Sequence, residues 1–101
     1  MSRPHATESV YMAISHPIRR QILDLLKERD RTVMEIGQQF KATMSTVSQH
    51  LQILRFTGLV SQRRRGRQRI YTLHARILSV PIEWLRRYES DAMRRAVRVK
   101  R

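Results

Sequence analysis

Five short polar side chains, Ser45, Thr46, Ser48, Gln49 and His50, crowd one stretch of the chain. Hydroxyls, an amide and an imidazole supply donors and acceptors without net charge, which is the chemistry that reads base edges in the major groove of duplex DNA. Gln49 is the leading candidate for a base contact, because an amide pairs bidentately with adenine, whereas Ser45, Thr46 and Ser48 suit phosphate or base. A little further on, Arg63, Arg64, Arg65, Arg67 and Arg69 stand together with no acid among them. Guanidinium groups in that density suit a phosphate backbone, or a minor groove where negative potential is focused. The plainer readings are a solvated helix face for the first set and a charge-protected strand edge for the second. Five arginines exceed what edge protection needs, and an uncharged polar face beside a cationic hairpin favours nucleic-acid contact.

Other chemistries find little support. His5, His16, His50 and His74 lack the close sequence pairing of metal sites, and no Asp or Glu stands at the matching helical step. No serine, histidine and acid grouping, catalytic carboxylate pair or glycine-rich phosphate loop can be assembled. An enzyme is therefore not expected, nor a metal site or cofactor. The chain has no cysteine, which removes disulfides, thiolate metal sites and thiol redox sensing together.

Charge points the same way. The 101 residues carry a formal charge of +13, from 21 Lys and Arg against 8 Asp and Glu, far more than solubility requires. Residues 1–60 hold 8 basic and 5 acidic side chains, while residues 61–101 hold 13 and 3. Besides the arginine cluster, Arg94, Arg95, Arg98, Lys100 and Arg101 form a basic tail. A polyanion is the expected partner. One domain over residues 1–93 followed by the tail at 94–101 is the expected organisation. With no apolar run of signal-peptide or membrane-span length, the cytoplasm is the expected location and no membrane partner is expected.

Periodicity supplies the scaffold: mainly α with a small β-hairpin, about five helices and a two-stranded wing. A short first helix runs from Thr7 to Ile14, with Val10, Ala13 and Ile14 at helical spacing. Pro17 opens a second helix whose apolar stripe is Ile18, Ile22, Leu23, Leu25 and Leu26, with Arg19, Arg20, Asp24 and Lys27 facing out, ending near Glu28 or Arg29. Thr32-Val33-Met34-Glu35 has the form of a capping box and starts a third helix reaching about Phe40. Thr43 or Ser45 caps a fourth helix with Val47, Leu51 and Leu54 inward, closed by Gly58. From Leu59 the period becomes two, with Val60, Tyr71 and Leu73 inward and Arg65-Gly66-Arg67 at a hairpin tip. A last helix starts near Arg76 or Ser79 and runs into the nineties, with Leu78, Ile82, Leu85 and Glu89 on one face and Pro81 kinking or restarting it.

Two short helices with a tight connection followed by a basic hairpin is the order of a winged helix-turn-helix. The sequence resembles the ArsR/SmtB family of bacterial repressors through residues 15–23 (SHPIRRQIL), 45–55 (STVSQHLQILR) and Gly58-Leu59-Val60. Arg64, Gly66, Arg67, Tyr71 and Leu73 continue the match, which covers about residues 8–88. The resemblance implies a homodimer built from the first and last helices, a recognition helix at Thr43–Thr57, a wing at Val60–Leu73, and control of its own or a neighbouring operon. Carried over by position, Ser45, Thr46, Ser48, Gln49 and His50 meet DNA, joined by Arg64, Arg65 and Arg67 of the wing. Val10, Ile14, Leu78, Ile82 and Leu85 are the expected dimer contacts. Metal-sensing members carry cysteines on the third helix, where Met34, Glu35 and Ile36 stand, or an Asp and His set on the last helix that residues 78–89 lack. No small-molecule effector is specified. The competing readings are a low-specificity architectural DNA-binding protein, and a basic peripheral membrane protein held by its tail, for which the tail lacks an apolar face.

Overall fold

The computed structural model describes residues 6–89 and 92–95. Helix α1 (Ala6–Ala13) is short, and α2 (Pro17–Glu28) follows after one turn. Pro17 sits where a helix has no use for its N–H, and His16 caps the start by accepting from the Ile18 amide on Nδ1 at 3.1 Å. A two-residue strand β1 (Arg31–Thr32) leads into α3 (Val33–Gly37) through the expected capping box. The Thr32 hydroxyl accepts from the Glu35 amide at 3.1 Å, and the Glu35 carboxylate accepts from the Thr32 amide at 2.8 Å. That backbone bond, reinforced by Arg29, holds the Glu35 carboxyl below its usual range. Helix α4 (Met44–Phe56) starts on Thr43, whose hydroxyl accepts from the Thr46 amide at 3.1 Å.

Strands β2 (Val60–Arg65) and β3 (Gln68–Leu73) form the hairpin, followed by a 3₁₀ turn (Ala75–Leu78) and α5 (Ser79–Arg86). The fold is a winged helix-turn-helix, with one addition to the expected wing. The antiparallel sheet has three strands in the order β1-β3-β2, because Arg31 pairs with Tyr71 and Thr32 with Ile70. β3 is the central strand, paired along both edges, and its adjacent residues Ile70 and Tyr71 are both buried although their side chains alternate between the faces.

Two helices are shorter than their apolar periodicity predicts. Beyond α3, the amides of Gln39 and Phe40 bond back only three residues, to Ile36 and Gly37. Beyond α5, those of Arg87, Tyr88 and Glu89 do the same, and helical backbone resumes at 92–95. Such i to i+3 closure tightens a helix end. Pro81 restarts the last helix, as the third residue of α5, where a missing N–H costs no intrahelical bond. Of the basic tail, Arg94 and Arg95 lie in the helical segment 92–95, while Arg98, Lys100 and Arg101 lie outside the described residues.

One core joins these elements: Ile22, Leu23 and Leu26 of α2, Ile36 of α3, Val47, Leu51 and Leu54 of α4, then Leu59, Val60 and Tyr71. Two expectations are corrected. Arg19, read as facing out, is only 7% exposed. The end of α1 leaves carbonyls without helical partners, and Arg19 reaches back to them, Nε to Ala13 O at 2.8 Å and Nη2 to Met12 O at 3.0 Å. A cation at the negative end of a helix is favourable there. Val10, read as a dimer contact, is 2% exposed within the single protomer and has no area left to give a partner.

Two glycines have positive φ, Gly58 at 84° and Gly66 at 65°. Gly58 ends α4 with paired bonds from its own amide to Arg55 O and from the Leu59 amide to Leu54 O, both 3.0 Å, so the left-handed residue redirects the chain into β2. A Cβ at Gly58 would lie 2.9 Å from Ile77 Cδ1, whereas at Gly66 it would meet open space. Gly66→Ala is therefore expected to cost only the left-handed backbone penalty, about 1–2 kcal/mol, and Gly58→Ala more than that. Urea denaturation of both variants measures the difference, and Gly66→Asn should recover part of the loss at that site.

Candidate nucleic-acid interface

The apolar stripe of α4 decides which of its side chains meet solvent. With Val47, Leu51 and Leu54 inward, Ser45, Ser48, Gln49 and also Gln52 are exposed. Thr46 is half-buried, and its hydroxyl oxygen accepts from the Thr43 hydroxyl at 3.1 Å. His50, expected among the outward set, is also half-buried. Its Nδ1 faces Arg19 Nη1 at 3.1 Å, and its ring centroid is 4.3 Å from that of His16. Burial, then the nearby His16 and Arg19, holds the His50 pKa below its ordinary value. The outward surface of α4 is thus Ser45, Ser48, Gln49 and Gln52, at helical steps of three and four along one face.

The wing carries its arginines in two ways. Arg63 is neutralised: its Nη1 contacts the Asp30 carboxylate and the Thr72 hydroxyl, each at 3.1 Å. Hydrogen bonding to Arg63 holds the Asp30 carboxyl below its usual range. This pair ties the base of the wing to the turn before β1. Arg64, Arg65, Arg67 and Arg69 are exposed and have no ion-pair partner among the described residues. Arg64 stands directly opposite Arg69 across the strands. Like charges facing each other across a sheet are destabilising, so this register favours a polyanion that relieves the repulsion.

Between α4 and the wing runs a cleft of about 280 Å³, also bordered by α3. Ser48, Gln52 and Arg55 line it from the helix, and Arg67, Arg69 and Tyr71 from the wing. Gln62 fixes the corner when its amide is turned to satisfy both neighbours, its nitrogen then donating to the Tyr71 hydroxyl at 2.9 Å and its oxygen accepting from Arg55 Nη1 at 2.9 Å. Sequence reading missed Gln52 and Arg55 as members of this surface. The helical step that joins Ser45 to Ser48 also joins Gln49 to Gln52, and that spacing is the signal that finds Gln52. Arg55 had no comparable signal, because only the fold brings it to Gln62 and Tyr71.

The four histidines had shown no pairing in sequence, but folding places His16 and His50 together, while His74 Nε2 lies 2.7 Å from the Ser61 hydroxyl oxygen. His5 lies outside the described residues. Among the described residues no group of three or more His, Asp or Glu side chains could hold a metal ion, and no helix is long and apolar enough to cross a membrane.

A family profile described as "Bacterial regulatory protein, arsR family" matches residues 16–62, from the cap of α2 into the wing. The transcriptional repressor SdpR of Bacillus subtilis is 39% identical over 77 residues, covering 76% of this chain and 86% of SdpR. The chain belongs to the ArsR family. It is 35% identical in sequence to the crystal structure of Mycobacterium tuberculosis Rv0081, with a TM-score of 0.66 over 91% of this chain and 99% of that one. HlyU of Vibrio cholerae gives a TM-score of 0.69 at 31% identity, over 83% of this chain and 91% of HlyU. The ArsR-family relatives are transcriptional regulators and not enzymes, and this protein is a DNA-binding transcriptional regulator of the same kind. With no cysteine in the sequence, thiolate metal sensing is not expected of this chain. Its affinity for duplex DNA is expected to be the same with zinc, copper, nickel or a chelator present. A stoichiometric zinc titration that weakens DNA binding would contradict this.

Proposed function

We propose that this ArsR-family regulator is a cytoplasmic repressor of its own or a neighbouring operon, binding a symmetric operator as a homodimer. Residues 1–93 form the DNA-binding and dimerising unit, and the tail at 94–101 adds general attraction to phosphate. Helix α4 lies in the major groove with Ser45, Ser48 and Gln49 toward base edges and Thr46 at its rim. Arg64, Arg65 and Arg67 lie on the backbone or in the adjacent minor groove. The observation that carries this reading is the cleft lined by Ser48, Gln52 and Arg55 of α4 on one wall and, on the other, by Arg67 and Arg69, which have no ion-pair partner among the described residues. Repression is supported by the likeness to SdpR, which is named a repressor.

Dimerisation is supported by α5, whose Ile82 and Leu85 are 45% and 53% exposed and whose Trp84 is half uncovered, as is Tyr88 in the turn that follows it. Trp84 meets Tyr11 of α1 edge-on at 6.1 Å between ring centroids, so an aromatic contact joins α1 to the exposed apolar side chains of α5. Ile14 and Leu78 are half-buried against the core of the protomer, and self-association by a two-fold axis covers the exposed apolar side chains of α5 with those of its own copy. Sedimentation should show a dimer at micromolar concentration, and Leu85→Glu should shift it to monomer while the circular dichroism is unchanged. A wild-type chain that stays monomeric at all accessible concentrations refutes the assembly.

The two DNA-contacting elements leave different marks. Gln49→Ala should weaken operator binding by about 1–3 kcal/mol per half-site and leave random duplex almost unchanged. Arg67→Ala should weaken both to similar degrees and reduce the log-log salt slope by about one unit for each phosphate no longer neutralised. Titrations over a salt series, with a site selected from a randomised duplex pool, make the comparison. If Gln49→Ala weakens both duplexes equally while Arg67→Ala erases sequence preference, the wing reads the bases. If the wild-type protein selects no sequence at all, it binds DNA as an architectural protein.

A further inference from the structure

The two histidine rings and the buried guanidinium at the junction of α1, α2 and α4 form a unit that DNA contact does not use. Arg19 holds two elements at once: Nε and Nη2 take the carbonyls of Ala13 and Met12 at the end of α1, and Nη1 takes Nδ1 of His50 on the recognition helix. Since a guanidinium only donates, His50 Nδ1 must accept, which requires the neutral imidazole with its proton on Nε2. His16 is constrained in the same way, because its Nδ1 accepts from the Ile18 amide. The groups that face the His50 ring are His16, the cap of α2, and Arg19 within it, while α1 faces the cluster with backbone carbonyls. No carboxylate takes part among the described residues.

We propose that His50 is a positioning residue for the recognition helix, and that its protonation breaks the Arg19 tie and lowers operator affinity in acid. A proton on Nδ1 turns the acceptor into a donor, so that two donors and two positive charges oppose each other where one hydrogen bond stood. The α1 end and α4 are then no longer held in one geometry. Sign follows from the burial of the ring: folding holds the His50 pKa below the ordinary 6.5, so as pH falls the unfolded chain takes the proton first. The stability that this tie contributes is fully present above the unfolded value and disappears as pH falls through the folded one. The added charge acts oppositely on general DNA attraction, which acid alone should strengthen. Specific and non-specific binding should therefore separate as the pH drops.

This inference rests on the DNA-binding reading, and its first test is independent of DNA. In the free full-length protein, NMR should show His50 as the Nε2–H tautomer at neutral pH. Backbone amides of residues 12–15 and 49–51 should titrate with the midpoint of the His50 ring. In His50→Asn, whose side-chain oxygen can accept from Arg19 without titrating, that shared transition should vanish with the fold intact. If the amides of the α1 end ignore the His50 titration in the wild-type protein, the coupling is refuted whatever the protein binds. The second test measures affinity for the selected duplex and for a random duplex from about pH 8 down past the His50 midpoint that the NMR titration gives, which lies below the ordinary histidine value. Wild-type affinity for the selected site should hold above that midpoint and fall about tenfold once the pH is about one unit below it, while random duplex holds or strengthens. His50→Asn should keep its specific affinity across the range, and Arg19→Lys, which retains charge but not the fork, should show weakened specific binding already at the alkaline end. A His50→Asn protein with the wild-type pH profile overturns the assignment. So does a parallel fall on both duplexes.

Discussion

Val47, Leu51 and Leu54 bury completely against the core, and that one stripe determines every other surface α4 has to offer. Each such side chain gains about 1.5–3 kcal/mol on leaving water, so rotating the helix to expose any of them would cost more than a surface hydrogen bond returns. The outward placement of Ser45, Ser48, Gln49 and Gln52 follows from this and from the 3.6-residue period alone. The stripe also sets the wing. Leu54 accepts the amide of Leu59 through the glycine turn, and Leu59 and Val60 then enter the same core, so that β2 starts at a fixed angle from the end of α4.

Charge is arranged around that frame with a division of labour. Arg19, Arg31 and Arg63 are used internally: Arg19 closes the end of α1, Arg31 Nε donates to Leu25 O at 3.0 Å, and Arg63 meets Asp30. Arg19 holds α1 and α4 to α2, while Arg31 and Arg63 tie the sheet to α2 and to the turn that follows it. The arginines toward the wing tip have no such use, and their register places two of them face to face. A surface built this way gives up some stability in the free protein for affinity toward a polyanion, the usual relation between a binding site and its scaffold. The uncharged side chains Ser45, Ser48, Gln49 and Gln52 of α4 complete the division, since selectivity among base pairs comes from hydrogen-bond patterns and not from net charge.

The sequence by itself determined the order of the helices and the hairpin, the capping box at Thr32, the turn glycines Gly58 and Gly66, the apolar stripe of α4 and the family. All of these rest on interactions between residues a few positions apart, which spacing and residue type specify directly. The polar face of α4 and the arginine cluster were legible for the same reason. What only the tertiary structure decided concerns groups that meet across the chain. Arg19 has the spacing of a solvated residue on α2, and the carbonyls that draw it inward belong to a helix end visible only once α1 folds back. His50 shares the outward half of α4 with Gln49, yet Arg19 and His16 claim it from a helix far away in sequence. The strand at Arg31–Thr32 is too short to show a period of two, and it exists because β3 offers it a free edge. Val10 and Ile82 have the same apolar character in sequence, but packing of α1 within the protomer covers one and leaves the other open. A local pattern states which side chains share a face, while the direction that face takes depends on partners whose distance along the chain carries no signal.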